Sequence, residues 1–162
     1  MRAAAHAYFL RHRGSHESVH VRSNLSEIGR NFYHWRKVSV CDDAYALARL
    51  WSSKFRSDLD LQEQMAITDA FEDFAQATEF FFTPLEKSVQ FYWEHRMGTW
   101  HAQVCSESDV ALDSASLYNC RKIIEAFLSV PIELQLAGVI HRDIILRAWP
   151  ELAEYPINGK PF

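Results

Sequence analysis

Glycine and proline are scarce in this 162-residue chain, with five of each, and no two glycines are adjacent. A backbone cradle for phosphate groups needs glycines in a tight turn at the N-terminus of a helix. Neither a Walker loop nor a Ser-Gly-Gly-x-Asp-Ser loop is present in the sequence. We therefore do not expect a nucleotide site that is built by this chain alone.

Cysteine is also rare, since Cys41, Cys105 and Cys120 are widely spaced and form no Cys-x-x-Cys pair. This spacing argues against a disulfide framework and against a Cys-rich zinc site, and it predicts reduced thiols. No apolar run approaches the roughly 18 to 20 residues that a transmembrane helix requires, and the N-terminus lacks the apolar core of a signal peptide. The sequence thus predicts a soluble, cytoplasmic protein without membrane contacts.

The composition predicts a helical fold. Hydrophobic residues make up 48% of the chain and aromatic residues 14%, which is enough for one ordinary core. The runs between the few glycines and prolines favour helix-forming residues over alternating Val, Ile and Thr. We expect an all-α, single-domain irregular bundle of about six or seven helices. Its predicted parts are a basic, His- and Arg-rich N-terminal segment over 1–22 and a helical domain over 23–162.

The charge is distributed unevenly. Residues 1–37 contain seven Arg or Lys and two Glu, a net charge of +5, so the remaining 125 residues carry −9 within a chain of net charge −4. Such asymmetry indicates that the basic segment contacts the acidic remainder of the chain, docks a partner, or contacts nucleic acid. Nucleic acid is the least expected of these, because no recognisable nucleic-acid-binding motif accompanies the basic segment.

Periodicity and capping residues predict the helices. The strongest start signal is Thr83-Pro84-Leu85-Glu86, with Thr83 as N-cap in a capping box and a helix that ends at Gly98. Asp42 and Asp43 suit another helix start. The predicted helices cover about 24–37, 43–55, 60–82, 84–98, 116–128, 131–137 and 139–149, with a loop over 101–115.

One short motif is typical of zinc hydrolases. His16-Glu17-Ser18-Val19-His20 matches the His-Glu-x-x-His pattern, in which a helix presents both imidazoles to zinc and Glu17 activates water. The polar flanks and the lack of an extended zincin pattern weaken this interpretation. No Gly-x-Ser-x-Gly elbow and no Cys–His pair is predicted from the spacing, so nucleophilic hydrolysis has no support.

Residues near the first predicted helix suggest a structural pair. Glu27 and Arg30 are three residues apart and would form an ion pair on the surface of one helix. Gly29 lies between them, and because glycine is unfavourable within a helix, it indicates close packing against another backbone.

Four segments carry a family resemblance: YWEHRMGTW at 92–100, NCRKII at 119–124 leading to SVP at 129–131, WPEL at 149–152 and PIN at 156–158. Together they resemble the distal helical part of asparagine synthetase-like, ATP-dependent amide-forming ligases. The similarity covers about four fifths of the chain, from Ser23 to Asn158. The match departs from the family at the Lys-x-Asp-Arg pattern before Glu94, where Lys87 stands at a different spacing.

The resemblance implies that Glu94 and Arg96, with Arg121 as a weaker third, line a former active-site wall. In such ligases ATP and Mg²⁺ activate a substrate carboxylate before an amine attacks it. Because the phosphate loop is missing, ATP and Mg²⁺ are expected only if another domain completes the site. The leading hypothesis is a remnant or fragment that is not catalytic by itself and acts with a partner polypeptide or as a homodimer. The alternatives are a helical protein–protein interaction module and the zinc hydrolase.

Overall fold

The fold was analysed in a computed structural model that describes residues 8, 12, 19–34, 41–109 and 112–156. Of this part, 67% is helical and 6% is strand. The prediction of a mostly helical chain is confirmed, although the fold is not purely α. None of the helices in the described ranges is long and apolar enough to cross a membrane.

Seven α-helices occur in the described residues. They are α1 (Ala44–Trp51), α2 (Leu61–Ala77), α3 (Lys87–Phe91), α4 (Ala102–Ser108), α5 (Arg121–Leu128), α6 (Ile132–Leu136) and α7 (Val139–Ala148). A π-helical segment, Tyr92–His101, joins α3 to α4. Short 3₁₀ helices cover Asn24–Arg30, Phe80–Phe82 and Pro150–Glu154.

Two short strands form a parallel sheet, which corrects the all-α prediction. β1 (Val19–Arg22) pairs with β2 (Asp113–Ser116), with Val19 opposite Asp113 and Arg22 opposite Ser116. Each strand has only four residues; VHVR of β1 alternates over too short a run to be distinctive, and DSAS of β2 shows no apolar alternation. The loop predicted over 101–115 is wrong, because Ala102–Ser108 is helical and Asp113 begins β2. β1 also ties the last residues of the 1–22 segment to the helical part.

The helix that contains most of the resemblance is longer than predicted. Helical structure runs without interruption from Lys87 to Ser108, so Gly98 does not end it. Glu86 is the N-cap, and its carboxylate accepts a hydrogen bond of 2.9 Å from the backbone N–H of Val89. The predicted cap at Thr83 is wrong, because the Thr83 hydroxyl donates to the Gln90 side chain instead.

The middle of this helix is wound more loosely than an α-helix. The backbone N–H of Ala102 donates to the carbonyl of Met97, five residues earlier, which is the π-helical pattern. The Thr99 hydroxyl donates to the carbonyl of His95 at 2.6 Å. A hydroxyl that occupies a backbone acceptor in this way competes with the regular hydrogen-bond ladder.

Other helix ends follow the sequence closely. Asp43 caps α1 by accepting from the N–H of Ala46 at 2.7 Å, and Asp60 and Glu63 form a reciprocal capping box on α2. Gly138, with φ of +68°, begins α7, a backbone conformation that glycine tolerates best. The helix predicted over 24–37 is wrong in type, since Asn24–Arg30 is 3₁₀ and Asn31 is left-handed with φ of +49°.

One hydrophobic core joins these elements. Phe91 is fully buried, and its ring packs against Tyr33, Phe71 and His95 at centroid distances between 4.7 and 5.8 Å. Gly29 is also buried, and the space where its Cβ would lie is bounded by the Phe127 ring. Gly29 is closely packed, but its nearest neighbours are the side chains of Phe127 and Ile140 and not the backbone that the sequence predicted. The long helix therefore has one face in the core and another available for a cavity.

Candidate functional site

A cavity of about 480 Å³ lies along one face of the long helix. Glu94, Gly98, His101 and Cys105 line it, because spacings of four, three and four residues keep them on the same helix face. Its other walls include Leu25, which is part of the hydrophobic core, Ser116 at the end of β2, and Asn119 three residues after Ser116. We call it the Glu94 cavity. It combines a carboxylate, an imidazole, a thiol, a hydroxyl and an amide.

The Glu94 carboxylate is held by one oxygen only. Its Oε1 accepts a hydrogen bond of 3.1 Å from the side-chain amide of Gln90. Its Oε2 is buried and has no hydrogen-bond partner among the described residues. A buried acceptor without a partner costs free energy, about 1 to 3 kcal/mol and more for a charged group. Such an oxygen is suited to receive a donor from a bound molecule.

The orientation of the Gln90 side-chain amide is determined by the two donors that its oxygen accepts from. Gln90 is fully buried, and its Oε1 accepts from the Thr83 hydroxyl at 2.6 Å and from the Lys87 ammonium at 3.3 Å. Because both neighbours donate to the oxygen, the NH₂ end of the amide must face Glu94. Gln90 thus fixes the Glu94 carboxylate in one position.

Lys87 belongs to this supporting arrangement and not to the cavity wall. Its ammonium donates to the carbonyl oxygens of Phe80 at 3.0 Å and Thr83 at 2.6 Å. It also contacts the face of the Phe80 ring, 5.5 Å from the centroid. The ammonium therefore anchors the chain that leads into the long helix.

A second polar group in the cavity is formed by His101, Cys105 and Ser116. The Nε2 atom of His101 lies 3.6 Å from Cys105 Sγ and 3.3 Å from Ser116 Oγ. The structure thus contains a Cys–His contact that the sequence spacing did not predict. The pair follows an i, i+4 spacing that would have been visible if 101–108 had been predicted as helix. Burial, and then the nearby Arg22 guanidinium, lowers the pKa of His101 below its ordinary value.

The three residues expected at a former active-site wall do not lie together. Glu94 lines the cavity, but the Arg96 guanidinium stacks between the rings of Phe32 and Trp100, at 5.0 and 4.5 Å. Arg121 is almost fully exposed and pairs with Glu125 at 2.7 Å one helical turn away. Only Glu94 is positioned to touch a molecule in the cavity.

Glu27 and Arg30 form an ion pair of 2.6 Å on the 3₁₀ helix. The Arg30 side chain is about half exposed, and pairs of this kind contribute only about 0.2 to 1 kcal/mol. Arg30 also borders a smaller cavity of about 280 Å³ between this helix and α6. The described lining there contains no carboxylate and no thiol.

The zinc motif is not assembled by the described residues. His20 lies in β1, whereas the motif requires it on a helix, and His16 and Glu17 lie outside the described residues. In the part of the chain that the structure covers, no three His, Cys, Asp or Glu side chains are grouped to hold a metal ion. The zinc site stays a prediction.

Comparison of the chain with protein-family models, with curated proteins and with solved structures finds no match. The Glu94 cavity is therefore characterised by its own geometry. Its most distinctive atom is the Oε2 of Glu94.

Proposed function

We propose that this chain is a helical domain of the asparagine synthetase-like kind, which forms one wall of a substrate site and does not catalyse the family's ligase reaction by itself. The supporting observation is the buried Glu94 Oε2, which has no donor among the described residues although Oε1 is fixed by Gln90. This carboxylate lies in the segment that most resembles the ligase family. Its role in the proposal is to bind the ammonium group of a small polar substrate.

The other cavity groups suit the same class of ligand. A carboxylate recognises an ammonium group through charge-assisted hydrogen bonds. The hydroxyl of Ser116 and the amide of Asn119, at the opposite wall, can donate to a carboxylate or an amide of the ligand. A cavity of about 480 Å³ accommodates a small amino acid. We therefore expect an amino acid such as L-aspartate to bind.

The proposal assigns no site for ATP and Mg²⁺ to this chain. The sequence has no glycine-rich phosphate loop, and the described residues include no cluster of three acidic or metal-binding side chains. Under the proposal, activation of the substrate carboxylate requires groups from another polypeptide. The purified chain should show no tight binding of ATP with Mg²⁺, and tight binding would contradict this part of the proposal.

The test is a calorimetric titration of the chain with L-aspartate, compared with the Glu94→Gln variant. Replacing the carboxylate by an amide keeps the shape and size of the side chain but removes its charge. Loss of a charge-assisted hydrogen bond costs about 1.5 to 3 kcal/mol, so the affinity should fall by about 10-fold or more. Equal affinity of the two proteins, with unchanged thermal stability, would contradict the role of Glu94.

A second candidate function, a helical interaction module that forms a homodimer, is favoured by the C-terminal helices. α7 has no buried residue, and apolar side chains in and around it are at least 39% exposed: Leu134, Leu136, Ile144, Leu146, Trp149 and Leu152. Exposed apolar side chains that cluster in this way are typical of an interaction surface. Sedimentation of the wild type and of Leu146→Glu tests this. A dimer that the variant dissociates supports it, and a wild-type monomer at high concentration contradicts it.

A further inference from the structure

Cys105 and His101 form a thiol–imidazole pair on the wall of the Glu94 cavity, with Sγ and Nε2 3.6 Å apart. A nucleophile within reach of a base, at a cavity large enough for a substrate, is the arrangement that covalent catalysis requires. We propose that Cys105 accepts an acyl group from a small ester in this cavity, with His101 as the base that removes the thiol proton. This activity is separate from the proposed binding of an amine by Glu94.

His101 is suited to the role of base by its surroundings. It is only 5% exposed, and its Nδ1 is buried without a hydrogen-bond partner among the described residues. The nitrogen that contacts the thiol is Nε2. Because burial and the Arg22 charge lower the pKa of His101, the imidazole is neutral at pH 7 and able to accept a proton.

Arg22 links β1 to the C-terminal end of α4, the helix that carries Cys105. Its Nη2 donates to the Ser108 hydroxyl at 2.7 Å. This hydrogen bond ties the sheet to the helix that carries the thiol.

The reaction needs no group beyond the ester itself. The thiol proton of Cys105 moves to His101 Nε2 while Sγ forms a bond to the carbonyl carbon. The bond between that carbon and the ester oxygen then breaks, and the leaving alcohol takes the proton from His101. The products are a thioester on Cys105 and the free alcohol, so atoms and charge balance without an oxidant or reductant. Water can later hydrolyse the thioester and restore the thiol.

The other two cysteines are internal references for this chemistry. Cys41 is buried, and burial together with the carboxylates of Glu86, Asp43 and Asp42 raises its pKa to about 12, which makes it inert. Cys120 is exposed at the start of α5, so a reaction controlled by exposure alone would favour it over the half-buried Cys105. The proposal predicts the opposite order.

The experiment exposes the full chain to p-nitrophenyl acetate at pH 7 and follows acetylation of each cysteine by peptide mass spectrometry. We expect Cys105 to be acetylated first, with one equivalent of nitrophenolate released rapidly. In urea the preference should disappear, because it depends on the folded cavity. Cys120→Ser is the matched control and should leave the acetylation rate of Cys105 unchanged. Faster acetylation of Cys120 than of Cys105 in the folded chain would overturn the proposal.

The base is tested with His101→Gln. General-base assistance contributes about 10²-fold or more, so acetylation of Cys105 should slow by that order while acetylation of Cys120 keeps its rate. A folded His101→Gln variant that retains the Cys105 rate would overturn the role of His101. If the variant does not fold, the order of Cys105 and Cys120 in the native wild type, compared with urea, still decides the proposal.

Discussion

The side-chain amide of Gln90 donates to Glu94 Oε1 at 3.1 Å, while the Gln90 oxygen is occupied by Thr83 and Lys87. Gln90 therefore positions Glu94, which alone among the three residues expected at the active-site wall lines the cavity. The other oxygen, Oε2, is buried without a hydrogen-bond partner in the described part of the chain. The loss of solvation at Oε2 is offset in part by the fixed donor at Oε1.

Gln90→Leu should weaken L-aspartate binding, although residue 90 does not line the cavity. Leucine fills a similar volume but leaves both Glu94 Oε1 and the Lys87 ammonium without this neighbour, so Glu94 loses its fixed position. We expect a decrease in affinity of several fold, smaller than that for Glu94→Gln, and a loss of stability of about 1 to 3 kcal/mol. Calorimetry and urea unfolding measure the two effects. Unchanged affinity would mean that Gln90 does not position Glu94.

Gly29→Ala should destabilise the fold. The new Cβ would lie 3.2 Å from Phe127 Cδ1 and 3.4 Å from Ile140 Cδ1. The Phe127 ring is itself confined by Tyr118 and His141, at centroid distances of 5.9 and 6.5 Å, so it has little room to move. Overpacking of this kind costs about 1 to 3 kcal/mol. Urea unfolding measures this cost.

Gly98→Ala is the matched control for that substitution. Nothing lies within 4 Å of the position its Cβ would take. Alanine within a helix is more stable than glycine by about 0.5 to 1 kcal/mol. The free energy of unfolding should therefore increase. If both alanine variants changed stability by the same amount and sign, the packing described around Phe127 would be incorrect.

Stability should decrease as the solution becomes mildly acidic. Burial lowers the pKa of His95, His101 and His141 below 6.5, so the unfolded chain takes up protons before the folded chain does. The free energy of unfolding then falls as pH drops through 6.5 and continues to fall until the folded imidazoles are protonated. Urea midpoints measured between about pH 7.5 and pH 5.5 test this, before most carboxylates titrate.

His95→Phe should make this pH dependence shallower. The His95 ring stacks on Phe91 at 4.7 Å with an interplanar angle of 6°, and phenylalanine preserves that contact while removing a titrating group. An identical slope in the variant and the wild type would show that His95 does not contribute to the acid sensitivity.

Local chemistry explains which features the sequence predicts. Asp43 at the start of α1 and Gly138 before α7 act through neighbouring backbone groups, and both helix starts are confirmed. The pairing of β1 with β2 joins segments that are far apart in the chain, so no local pattern contains it. Winding of the helix past Gly98 likewise depends on tertiary packing and not on glycine alone.

The same distinction applies to the candidate site. Glu94 was found through the family resemblance, whereas Gln90 and His101 were missed because their roles depend on side-chain contacts. Arg96 was expected beside Glu94 at the former active-site wall. The structure places it between two aromatic rings.

The most direct test of the central claim is an NMR titration of the isotope-labelled chain with L-aspartate and, separately, with succinate. The two molecules differ only by the amine that Glu94 is proposed to bind. We predict saturable shifts of the Gly98 and Asn119 amide signals with L-aspartate, and at least about 10-fold weaker binding of succinate. Equal binding of both molecules, or shifts confined to residues outside the Glu94 cavity, would contradict the account.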